Sequence, residues 1–130
     1  MKKYYIKANE LRIGNLAIDQ LGNIICVTAK YILEQYQSDI AEDDYLKPIT
    51  LTEEWLLKFG FKRNDNTKVS DSFYWIMFGS SQLHINPDNG VVWIYRNKNI
   101  FNNPCLVRHV HQLQNLYFAL TGEELDISFN

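Results

Sequence analysis

Histidine is the residue type in this chain whose spacing bears most directly on metal chemistry. The chain contains three histidines, His84, His109 and His111. On a helix, His109 and His111 would point about 200° apart and could not share a metal ion. On an extended segment they would share a face, and His84 could join them. No HExxH or similar ligand spacing is present, so the sequence predicts no metal site.

Nucleophiles and carboxylates occur without the spacing that catalysis needs. Ser80 and Ser81 stand outside any GxSxG pattern. The carboxylate pairs 43–44 and 53–54 are adjacent in sequence, and helical neighbours do not face each other, so we interpret them as solvated or capping residues. Neither GxxxxGK[ST] nor GxGxxG occurs. The sequence therefore predicts no catalytic residue and no cofactor, and an enzyme is the least favoured class.

One segment combines cations with aromatic rings and lacks acids. No Asp or Glu occurs from Asn89 to Gly122, whereas acids concentrate between Glu34 and Glu54. Cations beside aromatic planes suit a phosphorylated, base-bearing ligand, through charge-assisted hydrogen bonds and stacking. The alternative is that strands and a packed helix use few acids, with polar helix positions bonded to a neighbouring element. The predicted ligand-binding residues are Trp93, Tyr95, Arg96, Arg108, His109, His111 and Gln112.

Composition limits the classes of protein to which the chain can belong. With 130 residues, 46% of them hydrophobic and 22% charged, the chain can bury a core, and we expect a single domain over residues 1–130. The net charge of −2 argues against general nucleic-acid binding. The longest apolar run is far too short for a membrane span and no signal peptide is evident. We therefore expect a cytoplasmic protein with no membrane partner.

The two cysteines, Cys26 and Cys105, both lie beside apolar residues. This context favours two reduced, buried thiols in a cytosolic protein. A disulfide would require their Cα atoms to lie within roughly 7 Å, and the sequence leaves that open.

The N-terminal half predicts a hairpin and one short helix. Residues 8–28 carry strands near 16–18 and 23–28 with a turn at Gly22. Residues 29–47 favour a strand or irregular segment followed by a solvated loop, with an acidic binding arm as the alternative. Residues 51–60 predict a helix with Thr52 as N-cap and a stop at Gly60.

The C-terminal half predicts three strands and a longer helix. The strands are 73–78, expected to be central and buried, then 82–85 and 91–96. The helix covers 107–121, ends at Gly122 and should bury the leucines Leu113, Leu116 and Leu120. We therefore predict an α+β fold. Its antiparallel, partly barrel-like sheet would carry a short central helix and a C-terminal helix packed on it.

Three sequence blocks carry a family resemblance: ELRIGN at 10–15, ITLTEEWLLKFGF at 49–61 and HVHQLQNLYFALTGEEL at 109–125. In this order they resemble small uncharacterised proteins encoded in phages, prophages and mobile elements of gut-type bacteria. The resemblance implies a genetic context rather than a reaction. Phage accessory proteins of this size often block host defence or adapt host machinery, and some sequester nucleotide signals.

From these observations we expect a non-catalytic accessory binding protein of a phage or mobile element, acting in the bacterial cytoplasm. It would counter host defence by sequestering an anionic nucleotide-like signal. The alternative is an adaptor that docks a host or phage protein through exposed aromatics such as Tyr4, Tyr5 and Trp55, and homo-oligomerisation fits either. A concave, Arg-lined pocket would favour the small ligand, whereas a flat apolar patch would favour the protein partner.

Overall fold

A computed structural model describes residues 6–36, 45–64, 73–102 and 106–127. The chain divides into two compact units, which we take in turn. The first comprises Met1–Thr50 with His109–Glu124, and the second comprises Leu51–Arg108 with Leu125–Asn130. The single domain over 1–130 stays a prediction.

The first unit contains the predicted hairpin. A 3₁₀ turn at Ala8–Glu10 precedes strands β1 (Leu16–Ile18) and β2 (Ile24–Cys26), which pair antiparallel. The Asp19 carboxylate closes the turn between them by accepting hydrogen bonds from the backbone N–H groups of Leu21 and Asn23, at 3.0 and 2.8 Å. Gly22 has a φ of 84°, as its predicted place in the turn requires. The hairpin is therefore confirmed.

The segment after the hairpin forms a helix, α1 (Ala29–Gln35), where the sequence favoured a strand or irregular structure. That prediction is wrong here, because local propensity already favours a helix: Ala29, Lys30, Leu33, Glu34 and Gln35 are all good helix formers. Tyr31 and Ile32 pack on a buried cluster of Ile6, Ala17, Val27 and Leu46. The acidic stretch 37–44, with its loop and arm alternatives, lies outside the described residues.

The long helix α3 (Val110–Thr121) also belongs to the first unit and ends at Gly122, which is left-handed with a φ of 72°. The predicted start at residue 107 is wrong by three residues, because His109 is extended and forms an antiparallel bridge with Thr50. Its buried positions are Val110, His111, Leu113 and Gln114. The predicted burial is confirmed for Leu113, but Leu116 is only half-buried and Leu120 is exposed. The prediction for Leu120 is wrong because the covered face of the helix ends before its last turn.

A buried glutamine attaches α3 to the hairpin. The Gln114 side chain accepts a hydrogen bond from the Leu16 N–H at 2.8 Å and donates to the Gly14 carbonyl at 3.3 Å. The amide therefore satisfies backbone groups at the start of β1, which explains why a polar side chain is buried there. The helix thus packs on the two-stranded sheet, as α3 contacts β1.

The second unit begins with the predicted short helix, α2 (Glu53–Lys58). The Thr52 hydroxyl caps it by accepting from the Trp55 N–H at 3.4 Å, and Gly60, with a φ of 91°, follows its end. A five-stranded antiparallel sheet follows in simple chain order. Its strands are β3 (Lys62–Arg63), β4 (Tyr74–Phe78), β5 (Ser81–Ile85), β6 (Val92–Arg96) and β7 (Asn99–Asn102).

The three predicted strands are confirmed, with β3 and β7 as additions. Strand β4 lies between two neighbours, but the expectation that both of its faces are buried is wrong, since Met77 is 49% exposed. The α+β class with antiparallel strands is confirmed. The described strands form two separate sheets, and within the described ranges neither closes into a barrel.

The cysteine prediction is corrected at one position. Cys26 at the end of β2 is a free and exposed thiol rather than a buried one. The strand buries neither of its end residues, so an apolar sequence context did not imply burial here. Cys105 lies outside the described residues.

Candidate functional site

The strand register of the second unit collects the candidate site on one face of the sheet. Residues directly paired across antiparallel strands point to the same side. One row across the five strands is Lys62, Trp75, His84, Trp93 and Asn102, and the next is Met77, Gln82, Tyr95 and Ile100. We call these nine residues the aromatic face.

The opposite side of this sheet supplies buried core residues. Tyr74, Leu83, Ile85 and Val92 are each at most 2% exposed. The aromatic face is more open, with Tyr95 39% exposed and Trp93 half-buried. A sheet with one buried and one accessible side is a rigid support, because its backbone is fixed by the core beneath it.

Three rings form a cluster on the aromatic face. The imidazole of His84 stacks on the indole of Trp93, with ring centroids 5.3 Å apart and planes at 16°. Phe73, just before β4, meets Trp93 edge-on at 5.3 Å and lies 5.7 Å from His84. Such contacts hold each ring in a defined orientation, so Trp93 is positioned before any ligand arrives.

The central histidine of this cluster is held neutral. Burial lowers the pKa of His84, because a charged imidazolium loses solvation there. Its Nε2 is hydrogen-bonded to the side-chain oxygen of Gln82 at 2.9 Å. Stacking on the indole therefore uses an uncharged ring at neutral pH.

The charge of the aromatic face comes from Lys62. Its ammonium lies 5.4 Å from the ring centroid of Trp75, within the range of a cation–π contact. The five strands contain Lys62, Arg63 and Arg96 but no Asp or Glu. A lysine on an aromatic surface, within a carboxylate-free sheet, is suited to an anion that carries a planar ring.

The predicted residues of the second unit fall on different sides of the sheet. Trp93 and Tyr95 share the aromatic face, whereas Arg96 is the next residue of β6 and points to the opposite side, as strand alternation requires. Arg96 is exposed and pairs with Asn99. Arg108 is exposed in the segment before α3, and its carbonyl accepts from the Leu51 N–H at 2.9 Å.

The other predicted residues lie in the first unit, at the start of α3. His109 is the extended residue before the helix, and its N–H donates to the Gln112 side chain at 3.1 Å. The rings of His109 and His111 stack, with centroids 5.9 Å apart and planes at 15°. They meet although His111 is helical, because His109 precedes the helix and is extended. The segment is therefore neither wholly helical nor wholly extended. Among the described residues no group of three ligands capable of holding a metal occurs.

His111 is a buried neutral histidine. It is 1% exposed, and burial, supported by the nearby His109, lowers its pKa to about 4 although Glu10 opposes the shift. Neither ring nitrogen has a hydrogen-bond partner among the described residues. Its position therefore makes it part of the packing of α3 rather than an accessible ligand group.

The ligand-binding residues predicted from the sequence do not include four members of the aromatic face, Lys62, Trp75, Gln82 and His84. The alternation of Gln82 and His84 within a predicted strand was a signal that they share a face. The cross-strand register that joins them to Trp93 and Tyr95 was not visible from the sequence, because it depends on turn geometry. Lys62 lies in a strand of two residues, too short to show a period.

A separate cleft of about 290 Å³ lies in the first unit, beside α1 and the turn of the hairpin. Its lining residues are Asp19, Gln20, Leu21, Lys30, Tyr31 and Glu34. Two carboxylates against one lysine disfavour an anionic ligand there. The cleft does not have the Arg-lined character that the small-ligand hypothesis called for.

Comparison of the chain with protein-family models, with curated proteins and with solved structures finds no match in any of the three. Within the described ranges, no helix has the length and apolar character that crossing a membrane would require.

Proposed function

We propose that this chain is a non-catalytic binding protein that holds an anionic nucleotide-like ligand on the aromatic face. The observation that supports the proposal is the cross-strand row of Lys62, Trp75, His84 and Trp93. A base stacks on an indole or phenol ring with a worth of about 1–3 kcal/mol. An ammonium pairs with a phosphate oxygen through a charge-assisted hydrogen bond.

The aromatic face also offers polar groups beside its rings. Gln82 and Asn102 are cross-strand neighbours of Tyr95 and Trp93 respectively. Side-chain amides supply both donors and acceptors, so they can bond the edge of a base that stacks beside them. In this proposal Lys62 contacts the phosphate, rather than Arg96 or Arg108, the two arginines among the predicted ligand-binding residues.

The biological setting of the proposal comes from the three sequence blocks. Their resemblance to phage and mobile-element proteins supports an accessory protein that acts in the cytoplasm of a bacterial host. Sequestering a nucleotide signal needs affinity and no chemical step. A binding face without a predicted catalytic constellation is consistent with an anti-defence role of this kind.

The test is isothermal calorimetry of the purified protein against a panel of cyclic mono- and oligonucleotides. We expect one member to bind and Trp93→Ala to weaken it, whereas Arg96→Ala, on the opposite side of the sheet, should leave its affinity unchanged. Loss of binding in Arg96→Ala would instead assign the phosphate contact to Arg96 and contradict the role of Lys62. If no member binds more tightly than about 1 mM, which corresponds to only ~4 kcal/mol, the nucleotide proposal fails.

A second candidate is an adaptor that docks a host or phage protein. It is supported by two apolar side chains of the aromatic face, Met77 and Ile100, which are 49% and 62% exposed. Native mass spectrometry of the protein purified from its infected host separates the two candidates. A bound small molecule supports the first, and a stoichiometric polypeptide whose binding is abolished by Met77→Lys supports the second.

A further inference from the structure

Strand β7 is a short edge strand that carries neither charge nor proline. Within the described ranges it pairs only with β6, and all four of its residues are exposed. Ile100 is 62% exposed and Phe101 54%. Natural edges are usually blunted by short length, charge, proline or a bulge. Asn99–Asn102 is short, but it contains no charged residue and no proline. Such an edge is suited to pairing with another strand.

The turn that precedes β7 determines which backbone groups face outward. Asn97 and Lys98 both have positive φ, 51° and 65°, and connect the paired residues Arg96 and Asn99. This is the geometry of a two-residue I′ hairpin, whose flanking pair exchanges hydrogen bonds. Since such pairs alternate along an antiparallel ladder, Phe101 also bonds towards β6. The N–H and C=O groups of Ile100 and Asn102 therefore point away from the sheet.

We propose that a second copy of this chain pairs with β7, antiparallel and about a two-fold axis normal to the sheet. A strand that meets itself must avoid like charges in opposition, and the uncharged sequence Asn-Ile-Phe-Asn meets that condition. An edge of two apolar and two amide side chains, without charge, is compatible with its own copy and carries nothing that would select a charged peptide. The occupant is therefore a second protomer.

The symmetry restricts the register of this pairing. A two-fold axis normal to the sheet brings residues of the same face opposite each other. Setting Ile100 opposite Asn102 of the second copy uses all of the outward backbone groups, whereas setting Ile100 opposite itself uses only those of Ile100. In the favoured register Phe101 lies opposite its own copy at the axis, as a non-hydrogen-bonded pair with closely spaced side chains. The aromatic faces of both copies then lie on one side of a continuous sheet.

Self-association can be measured by sedimentation velocity on the full chain at concentrations up to about 1 mM, since so short a ladder gives a weak dimer. We expect a concentration-dependent dimer that Phe101→Lys weakens by at least about tenfold, because two ammonium groups then meet at the axis. The matched control is Ile13→Lys, which adds the same charge at a residue 60% exposed. A monomer throughout, or equal weakening by both variants, overturns the proposal.

Disulfide trapping tests the register directly. In a Cys26→Ser, Cys105→Ser background, Phe101→Cys should crosslink under mild oxidation. Cα atoms of a non-hydrogen-bonded pair lie about 4.5 Å apart, within the range that a disulfide spans. Ile100→Cys should not crosslink, because it faces Asn102 of the other copy. Crosslinking of Ile100→Cys without that of Phe101→Cys overturns the proposed pairing.

Discussion

His84 and Trp93 form a stacked cross-strand pair, with ring centroids 5.3 Å apart on the neighbouring strands β5 and β6. Their alignment follows from the register, since each is the direct partner of the other. Phe73 contacts both rings and so further restricts their orientation. The aromatic face is therefore a preorganised surface rather than a set of independent side chains.

The stacking should contribute to stability. Replacing His84 by Ala removes a partner of Trp93, and we expect the free energy of unfolding to fall by about 0.5–1.5 kcal/mol, the usual worth of an aromatic pair. Urea denaturation measures the change. His84→Phe keeps a stacking ring but loses the bond to Gln82, so it should retain most of the stability. Equal losses in both variants would assign the effect to the hydrogen bond.

His111 should make stability depend on pH. Its pKa is about 4 in the folded chain and near 6.5 when unfolded, so below pH 6.5 the unfolded state binds a proton that the folded state does not. Stability is therefore full above pH 6.5 and is lost as pH falls towards 4, by roughly 1–2 kcal/mol at pH 5. Urea melts at pH 7.5 and 5 measure the loss. In His111→Leu the loss of stability between pH 7.5 and 5 should be smaller by this contribution. The same loss in the variant and in the native protein would contradict the role of His111.

The leucines of α3 should differ in their effect on stability. Leu113 is fully buried, Leu116 half-buried and Leu120 36% exposed. Leu113→Ala should cost about 2–5 kcal/mol, the range for a truncated core leucine. The cost should decrease through Leu116→Ala to Leu120→Ala. Thermal denaturation of the three variants gives the order, and a Leu120→Ala effect as large as that of Leu113→Ala would contradict the helix placement.

Comparison of Gly90 with Gly79 separates two costs of adding a side chain. One is the steric clash with a neighbouring backbone, and the other is the strain of a positive φ. Both glycines have positive φ, 77° and 57°, but a Cβ on Gly90 would lie 2.9 Å from Arg108 Cγ and 3.1 Å from the Val107 carbonyl oxygen. A Cβ on Gly79 meets nothing within 4 Å. Gly79→Ala should cost about 1–2 kcal/mol for the left-handed backbone. Gly90→Ala should cost more, because the added Cβ also clashes with the neighbouring segment. Equal melting temperatures of the two variants would contradict this prediction, since they would mean that the segment moves away at no cost.

Strong local signals in the sequence predicted most of the elements. The turn at Gly22, the cap at Thr52, the stop at Gly60 and the helical repeat that ends at Gly122 each have a local cause, and each is found. Strand β7 was missed because its turn, Asn97–Lys98, reaches positive φ without a glycine. Leu120 was wrongly expected to be buried, because helical periodicity identifies the apolar face of α3 but not how far along the helix other residues cover that face.

The candidate site was harder to predict than the fold. That Arg96 and Trp93 point to opposite sides follows from the period of a strand and was available in the sequence. That Lys62 joins Trp93 in one row depends on three successive registers, and no local pattern encodes these. The candidate site depends on pairing across strands, so composition could suggest a segment but not a face of the sheet.

Two lysine–tryptophan pairs of similar geometry provide the most direct test of the proposed site. Lys62 lies 5.4 Å from the Trp75 ring on the aromatic face, and Lys58 lies 5.1 Å from the Trp55 ring on α2. Replacing either lysine by alanine removes one charge and one cation–π contact from the second unit. Only Lys62→Ala removes a cation from the aromatic face, so Lys58→Ala is a matched control.

The decisive measurement is calorimetry of both variants against whichever cyclic nucleotide of the panel binds the native protein most tightly. Lys62→Ala should weaken binding by about 1.5–3 kcal/mol, the worth of a hydrogen bond to a charged group, and should reduce the salt dependence of the affinity. Lys58→Ala should leave both unchanged. Equal effects of the two substitutions, or native affinity in Lys62→Ala, would contradict the assignment of the aromatic face as the ligand site.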